Sequence, residues 1–238
     1  MSKLKQLQKE AVNEFNISDI ESDEQFINLF LKVKEFTLVG IERSYALYKA
    51  VQYVIENRIP GDFVECGVWR GGSCMLIALA LRKYGISDRK IWLYDTFSGM
   101  VKPGDFDGAE EKELWEKYKI SDDKNSWCLG ELEDVKSNLL HTGYPQENFI
   151  LVKGKVEETI PSDIPGQISL LRLDTDWYES TKHELEYLYP LLSSNGVLLI
   201  DDYGAWQGAK KATDEYFGKQ GPVFLNRIDY TGRLVIKE

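Results

Sequence analysis

Short apolar runs alternate with helical repeats along the chain from about residue 60 onward. Each run is nearly continuous in apolar residues, which is typical of strands that are covered on both faces. The predicted strands are Phe63–Cys66, Ile91–Tyr94, Phe149–Val152, Ile168–Leu173 and Val197–Ile200. The predicted helices among them are Ser73–Tyr84, Tyr178–Leu192 and Gln207–Phe217. This order predicts an α/β fold in which crossover helices join parallel strands.

The two ends of the chain add to this plan. Residues 1–35 form two predicted amphipathic helical pieces with a break near Asn16–Ser22, so residues 1–40 are interpreted as a helical cap or an oligomer contact. An apolar repeat predicts a helix at Ile41–Asn57. Val223–Asn226 and Arg233–Lys237 flank a turn and predict a hairpin at the sheet edge. Residues 41–238 are therefore interpreted as one domain.

The region between Phe97 and Asn148 has a different character, because it is rich in Gly, Pro, Asp and Lys. It contains helical patches near Glu110–Tyr118 and Glu131–Leu140. We interpret residues 98–148, approximately, as an insertion over the strand ends, since mobile active-site lids are segments of this kind.

Charge and hydropathy argue against some classes of partner and some cellular locations. The chain has 238 residues, is 43% hydrophobic and carries a net charge of −10, which repels phosphate backbones and anionic membrane surfaces. Nucleic acid and membrane partners are therefore not expected. We see no apolar stretch long enough for a signal peptide or a membrane span, so we expect a cytoplasmic protein.

The cysteines and histidines offer little chemistry by themselves. Cys66, Cys74 and Cys128 are odd in number and lack the spacing of a zinc or redox motif, so reduced and mostly buried thiols are expected. His141 and His183 lie in helical patches without a nearby ligand partner, and each is interpreted as a surface side chain.

A glycine-rich turn follows the first strand and leads into a helix. Its spacing, Gly67, Gly71 and Gly72, is not the G-x-G-x-x-G of dinucleotide sites, and a tight strand-to-helix connection needs glycine in any case. Glu65, just before the glycines, can accept hydrogen bonds from the ammonium of an amino-acid ligand such as S-adenosylmethionine. Ser73 is expected to cap the helix.

The second strand ends in an acid, Asp95, which can accept both ribose hydroxyls of a bound nucleoside. The alternative is that Asp95 is a solvated loop acid or a helix cap. Two acids at successive strand ends, with glycines between them, favour a nucleoside-type cofactor site.

Four further acids follow the predicted strands Ile168–Leu173 and Val197–Ile200. Asp174, Asp201 and Asp202 are expected to converge, because neighbouring parallel strands end at the same edge of a sheet. Close carboxylates repel one another unless a cation lies between them, and oxygen ligands suit magnesium, calcium or manganese. Alternatively, Asp176 and Asp202 cap the helices that follow them, although capping does not explain two acids at each strand end.

The quoted motifs together resemble those of a known family. The chain resembles the macrocin O-methyltransferase family, which includes the novobiocin-type sugar methyltransferases, over most of residues 41–217. The similar stretches are Pro60–Ser73, Asp95–Met100, Leu173–Thr181 and Leu188–Leu192 through Tyr203. The resemblance is weakest at residues 1–40 and 101–148, which leaves the acceptor open.

The resemblance implies a fold, a chemistry and a set of site residues. It implies a doubly wound, Rossmann-like class I methyltransferase sheet of seven mostly parallel strands, with S-adenosylmethionine as donor and Mg²⁺ as metal. The acceptor would be a hydroxyl of a sugar on a glycosylated small molecule. Asp174, Asp201 and Asp202 would hold the metal, and Asp176 would be the general base. The implied cofactor-binding residues are Glu65, Gly67, Gly71, Ser73, Asp95, Val156 and Glu157.

Three alternatives remain at this point. A catechol-type O-methyltransferase would use the same metal, since catechols and sugars both present a vicinal diol that a metal can bind. A nucleotide-binding oxidoreductase and a non-catalytic carbohydrate-binding protein belong to other classes. Trp177, Tyr203 and Trp206 offer flat faces for an acceptor, but packing against the sheet edge explains them as well. A homo-oligomer is expected.

Overall fold

The structure, a computed structural model, describes residues 17–238. Its centre is one sheet of seven strands in the order β3-β2-β1-β4-β5-β7-β6. The strands are β1 (Asp62–Cys66), β2 (Ile91–Asp95), β3 (Phe149–Lys153), β4 (Ile168–Leu173), β5 (Leu192–Ile200), β6 (Asn226–Arg227) and β7 (Arg233–Ile236). The first five are parallel, whereas β7 is antiparallel to both β5 and β6. The predicted seven-stranded, mostly parallel α/β fold is confirmed.

Helices cover both faces of this sheet. In chain order they are α1 (Ser18–Ser22), α2 (Glu24–Val33), α3 (Ile41–Glu56), α4 (Gly72–Lys83), α5 (Ala109–Tyr118), α6 (Leu132–Leu140), α7 (Val156–Thr159), α8 (Tyr178–Tyr187) and α9 (Gln207–Gln220). Alternate residues of one strand serve the two faces: Phe63 joins the core under α2, α3, α4 and α6, while Val64 joins the core under α8 and α9. Burial on both faces explains why the inner strands are almost entirely apolar.

The N-terminal break is placed differently from the prediction. Residues 1–16 lie outside the described part of the chain, and with them the start of the predicted break. Ser18–Ser22 is helical, and the interruption is the single residue Asp23. Its Oδ1 accepts a hydrogen bond of 2.9 Å from the backbone N–H of Phe26, so Asp23 caps α2.

Two other predicted boundaries were wrong. The helix predicted to reach Leu192 ends at Tyr187, because a 3₁₀ turn at Tyr189–Leu191, with Pro190 near its start, separates it from β5. The predicted strand Val223–Asn226 is reduced to Asn226–Arg227, although it does pair with β7 as the outer part of the hairpin. In both places the sequence pattern identified the element but not its ends.

The predicted insertion contains two helices with different surroundings. In α6, Val135 and Leu139 are fully buried in the core that also contains α4. Before α6, residues 98–131 lie beside the carboxyl ends of the strands, where Trp115 is held by a 2.8 Å hydrogen bond from its Nε1 to the carbonyl of Met100. The division into a cap, residues 1–40, and a domain, residues 41–238, stays a prediction. Across the described residues, no helix is both long and apolar enough to span a membrane.

Candidate active site

Strand register brings the predicted site residues together. Cys66 of β1 lies beside Leu173 of β4, and Leu173 lies beside Ile200 of β5. The next residues along these strands, Asp174 and Asp201, therefore emerge side by side. Their backbone N–H groups continue the ladder, with hydrogen bonds of 2.9 Å from Asp174 to the Cys66 carbonyl and from Asp201 to the Leu173 carbonyl.

Gly67 allows this close approach at the end of β1. Its φ of +81° lies in the left-handed region, and a Cβ at this position would be 2.0 Å from the carbonyl oxygen of Asp174. A side chain here would force the ends of β1 and β4 apart. The predicted cap at Ser73 was wrong: α4 begins at Gly72 after Gly71, without a side-chain cap, and Ser73 lies inside the helix.

Asp95 at the end of β2 organises the glycine turn. Its Oδ2 accepts hydrogen bonds from the backbone N–H groups of Val68 (2.9 Å) and Trp69 (3.1 Å), and its Oδ1 accepts one from Phe97 (2.7 Å). Burial raises the pKa of Asp95, and these three N–H groups oppose that rise. The carboxylate is thus fixed at the mouth of the turn, with Oδ2 occupied by two N–H donors.

Three of the predicted acids form a compact cluster. One carboxylate oxygen from each of Asp174, Asp201 and Asp202 lies within 4.8 Å of the others. Burial raises the pKa of Asp174 and of Asp202 well above the usual range, and the neighbouring carboxylates raise both further. A cation between these oxygens would relieve the repulsion, and an all-oxygen donor set fits a hard divalent ion. The residues therefore fit the metal that the resemblance implies.

Two arginines, which sequence reasoning missed, compensate part of this charge. The buried Arg172 of β4 donates from Nη1 to Asp174 Oδ2 (2.7 Å) and from Nη2 to Asp201 Oδ1 (2.5 Å). Arg43 of α3 also pairs with Asp201, and it reaches Asp229 with a 3.0 Å hydrogen bond. A signal for Arg172 was available, because it is the only charged residue within the buried strand β4.

Asp176 lies beside the cluster in an unusual backbone conformation. Its φ is +70°, its Oδ1 accepts a 2.5 Å hydrogen bond from Trp206 Nε1, and its backbone N–H donates to Asp202 Oδ2 at 3.2 Å. Burial raises the pKa of Asp176 to about 7, and the Trp206 hydrogen bond opposes that rise. A non-glycine residue at positive φ is uncommon and is held by its surroundings.

Helix capping does not explain Asp176 or Asp202. The N-cap positions of α8 and α9 are Trp177 and Trp206, and neither helix receives a cap from its own N-cap side chain. The Asp202 carboxylate accepts from Asp176 instead, while its main-chain carbonyl accepts from Ala205 and Trp206. This outcome favours the interpretation of both acids as site residues.

Two cavities meet at these acids. One, of about 200 Å³, is lined by Glu65, Gly67, Ser73, the three clustered acids and Asp176, and by Thr37–Val39 of the N-terminal region. The other, of about 350 Å³, is lined by Gly154–Glu158, including Val156 and Glu157, and shares Asp95, Asp174 and Asp176 with the first. Gly71 lines neither cavity. The shared residues join the two cavities into one cleft at the carboxyl ends of the strands.

Aromatic side chains pack together beside Asp176. Trp127 of the insertion lies 5.8 Å from Trp177 and 6.2 Å from Trp206, between ring centroids. Trp177 is buried, which favours packing over acceptor contact for that ring. Trp206 and Tyr203 remain partly exposed.

Neither histidine lines the two cavities beside the acidic cluster, whereas one cysteine, Cys128, does. His141 is exposed, and the ring of the half-buried His183 contacts the carbonyl of Ile160 at 2.9 Å. Cys66, Cys74 and Cys128 are all free, as expected. Cys74 donates from Sγ to Glu65 Oε2 at 2.8 Å, and Cys128 lines the smaller cavity. Glu65 is thus held from two sides, by Cys74 and by Arg172.

Comparison with known proteins agrees with this geometry. The sequence profile described as macrocin O-methyltransferase (TylF) matches residues 3–236. The chain belongs to the macrocin O-methyltransferase family. Within this family, it is 35% identical over 199 residues to a tetracenomycin-type 4'-O-methyltransferase from Streptomyces olivaceus, covering 82% of this chain and 73% of the relative. It is also 34% identical over 183 residues to the demethyldecarbamoylnovobiocin O-methyltransferase of Streptomyces niveus, covering 77% and 68%.

A solved structure supports membership of the macrocin O-methyltransferase family. The structure of the O-methyltransferase NovP superposes with a TM-score of 0.76 at 33% identity, covering 85% of this chain and 82% of NovP. A calicheamicin methyltransferase, at 18% identity and a TM-score of 0.62, shares the fold. The chain is therefore an O-methyltransferase with the fold of S-adenosylmethionine-dependent enzymes, and the oxidoreductase and non-catalytic alternatives were wrong.

Proposed function

We propose that this enzyme transfers a methyl group from S-adenosylmethionine to a sugar hydroxyl on a glycosylated small molecule, with Mg²⁺ bound by Asp174, Asp201 and Asp202. The observation that carries the proposal is the meeting of these three carboxylates beside the glycine turn. The acceptor class rests on the relatives, whose names describe methylation of glycosylated natural products.

The donor would occupy the side of the cleft formed by the glycine turn. Its sulfonium carries the methyl group that an acceptor oxygen displaces in line. Glu65, Gly67, Gly71 and Ser73 belong to the turn proposed to receive its amino-acid part, and Asp95 would receive its ribose. Val156 and Glu157, at the start of α7, line the cavity proposed for its adenine. Positioning of the two reactants accounts for much of the rate in such a transfer.

The metal would act on the acceptor side of the same cleft. A bound divalent cation lowers the pKa of a hydroxyl and orients it. Asp202 is the proposed ligand that forms no ion pair with Arg172, whereas both Asp174 and Asp201 do. The acids around the cluster thus outnumber the two arginines that contact them, which leaves negative charge for a cation.

Asp176 is the proposed general base. Its carboxylate lies in the cavity with the three proposed ligands, and Trp206 orients it through Oδ1. The other carboxyl oxygen would take the acceptor proton. The backbone hydrogen bond to Asp202 keeps the base next to the proposed metal.

An acceptor screen with labelled S-adenosylmethionine tests the proposal. We expect methyl transfer to glycosylated natural products or nucleotide sugars in the presence of Mg²⁺, and no transfer in excess chelator. Transfer to catechols alone would replace the sugar by the catechol-type alternative. Full turnover in chelator would remove the metal from the proposal.

A matched pair of variants tests the metal ligands. Asp202→Asn should abolish Mg²⁺-dependent turnover and weaken Mn²⁺ binding measured by electron paramagnetic resonance, because one hard ligand is lost. Asp88→Asn, an exposed acid before β2, is the control and should leave both unchanged. The expected homo-oligomer stays a prediction.

A further inference from the structure

Asp107 of the insertion is buried and contacts the start of α8. Its Oδ1 accepts a 3.0 Å hydrogen bond from the backbone N–H of Tyr178, and its Oδ2 accepts one of 2.7 Å from Gly104. Only 6% of Asp107 is exposed. Since Trp177 gives α8 no side-chain cap, an acid more than 70 positions away in the sequence supplies one. An acid at a helix N-terminus is stabilised by the helix dipole.

Gly208 of α9 leaves the space that Asp107 occupies. A Cβ at position 208 would lie 1.8 Å from Asp107 Oδ1 and 2.9 Å from the backbone nitrogen of Tyr178. Gly208 is the second residue of α9 and is buried, and a side chain there would displace the Asp107 carboxylate.

Further contacts hold the same part of the insertion, which we call the docking segment, residues 101–107. Trp177 donates from Nε1 to the carbonyl of Val101 at 2.8 Å. The rings of Phe106 and Tyr178 lie 4.4 Å apart, between centroids. The docking segment is therefore fixed to Trp177 and Tyr178, the two residues that directly follow Asp176.

Asp176 has little freedom to compensate if the start of α8 moves. It has a positive φ, and the chain turns at this residue from the end of β4 into α8. A shift of Trp177 or Tyr178 would therefore move Asp176. Misplacement by about 1 Å is enough to cost about 10²-fold in rate.

We propose that Asp107 is a positioning residue for the reaction: by capping α8 from the docking segment, in the space left by Gly208, it holds Asp176 in place. This inference rests on the proposed role of Asp176 as general base. The insertion would then affect the rate of methyl transfer, because Asp176 is in position only while the docking segment is bound to α8.

Asp107→Ala tests the hydrogen bond directly. We expect kcat to fall by about 10–10²-fold, with the acceptor KM changing much less. Amide hydrogen exchange, measured without acceptor, should become faster at Tyr178 and in the docking segment. Unchanged kcat together with unchanged exchange at Tyr178 would overturn the proposal.

Gly208→Ala should disrupt the same hydrogen bond, between Asp107 and Tyr178, by a change on a different helix. It should reproduce the loss of kcat and the faster exchange, because the new methyl group displaces the Asp107 carboxylate. Gly218→Ala is the matched control on the same helix, since a Cβ at position 218 meets nothing within 4 Å. Equal losses of kcat in the two glycine variants would contradict the role of Gly208.

The double variant Asp107→Ala/Gly208→Ala separates positioning from general damage to the fold. If Gly208→Ala acts through Asp107, most of its effect should disappear in the Asp107→Ala background, with a small remainder from its contact with Tyr178. Additive losses would overturn the proposal. Wild-type turnover of Asp176→Asn would instead remove the base assignment, and the exchange data would still show whether Asp107 holds α8.

Discussion

Arg172 Nη1 lies 2.5 Å from Glu65 Oε1, so a buried cation is bonded to the acid proposed to receive the cofactor ammonium. The same guanidinium contacts Asp174 and Asp201, two of the proposed metal ligands. The donor side and the acceptor side of the cleft therefore share one positive charge. This arrangement allows several acids to lie at one sheet edge, because part of their repulsion is compensated inside the protein.

Arg172→Met should destabilise the protein strongly. Removing one partner of a buried ion pair leaves uncompensated carboxylates, which costs about 3–5 kcal/mol in the free energy of unfolding. Urea denaturation measures this loss. Lys136→Met, which breaks an exposed pair with Glu133, is the control and should cost no more than about 0.5 kcal/mol. Similar costs for the two variants would show that the buried network contributes little.

Asp95→Ala should weaken the binding of S-adenosylhomocysteine by about tenfold or more, since a hydrogen bond involving a charged group contributes about 1.5–3 kcal/mol. The loss of three backbone hydrogen bonds in the glycine turn adds to this effect. Isothermal titration calorimetry gives the dissociation constant. Asp88→Ala, an exposed acid before the opposite end of β2, should bind normally. Unchanged affinity in Asp95→Ala would move the nucleoside site elsewhere.

Asp176→Asn should lower kcat by about 10²–10⁴-fold, the usual contribution of a positioned general base. Cofactor affinity, Mn²⁺ affinity and thermal stability should stay near wild type. Asparagine tolerates the positive φ at this position, and Asp176 does not cap α8, so the fold has no reason to change. Steady-state kinetics and thermal denaturation together check the prediction, and wild-type turnover would contradict the base assignment.

Glu184→Gln should flatten the pH dependence of stability. Glu184 is fully buried in α8, and the hydroxyl of Thr175 donates its one proton between the two carboxyl oxygens, at 2.9 and 3.1 Å. Burial raises the pKa of Glu184 well above its usual range, and the Thr175 hydroxyl opposes that rise. The folded protein therefore keeps a proton that the unfolded chain releases above about pH 4.3.

The sign of the effect follows from this difference. The contribution of the Glu184 proton to the free energy of unfolding is fully present below about pH 4.3. It is lost as the pH rises towards the folded pKa, by up to about 1.4 kcal/mol per pH unit. Wild type should therefore lose more stability than Glu184→Gln between about pH 5 and pH 8 in urea denaturation. Glu179→Gln, an exposed acid on the same helix, is the control. Parallel pH profiles for wild type and Glu184→Gln would contradict the prediction.

Local sequence was sufficient for the five parallel strands and for the convergence of the acids at their ends. The apolar runs identified these five strands, because burial on both faces favours continuous apolar residues. The acids at the strand ends converged as expected, since the register of parallel strands places Asp174 beside Asp201. Element ends were less well predicted, as at Leu192, where the pattern of apolar residues continues from helix through turn into strand.

What only the tertiary structure decided is the set of partners for those acids. Arg43 reaches Asp201 from 158 positions away, and no local pattern relates the two. Asp107, Tyr178 and Gly208 meet from the insertion and two separate helices. The physical reason is that periodicity records only which face of an element is buried. The compensation of a buried charge depends on whichever residues the completed fold brings within hydrogen-bonding distance.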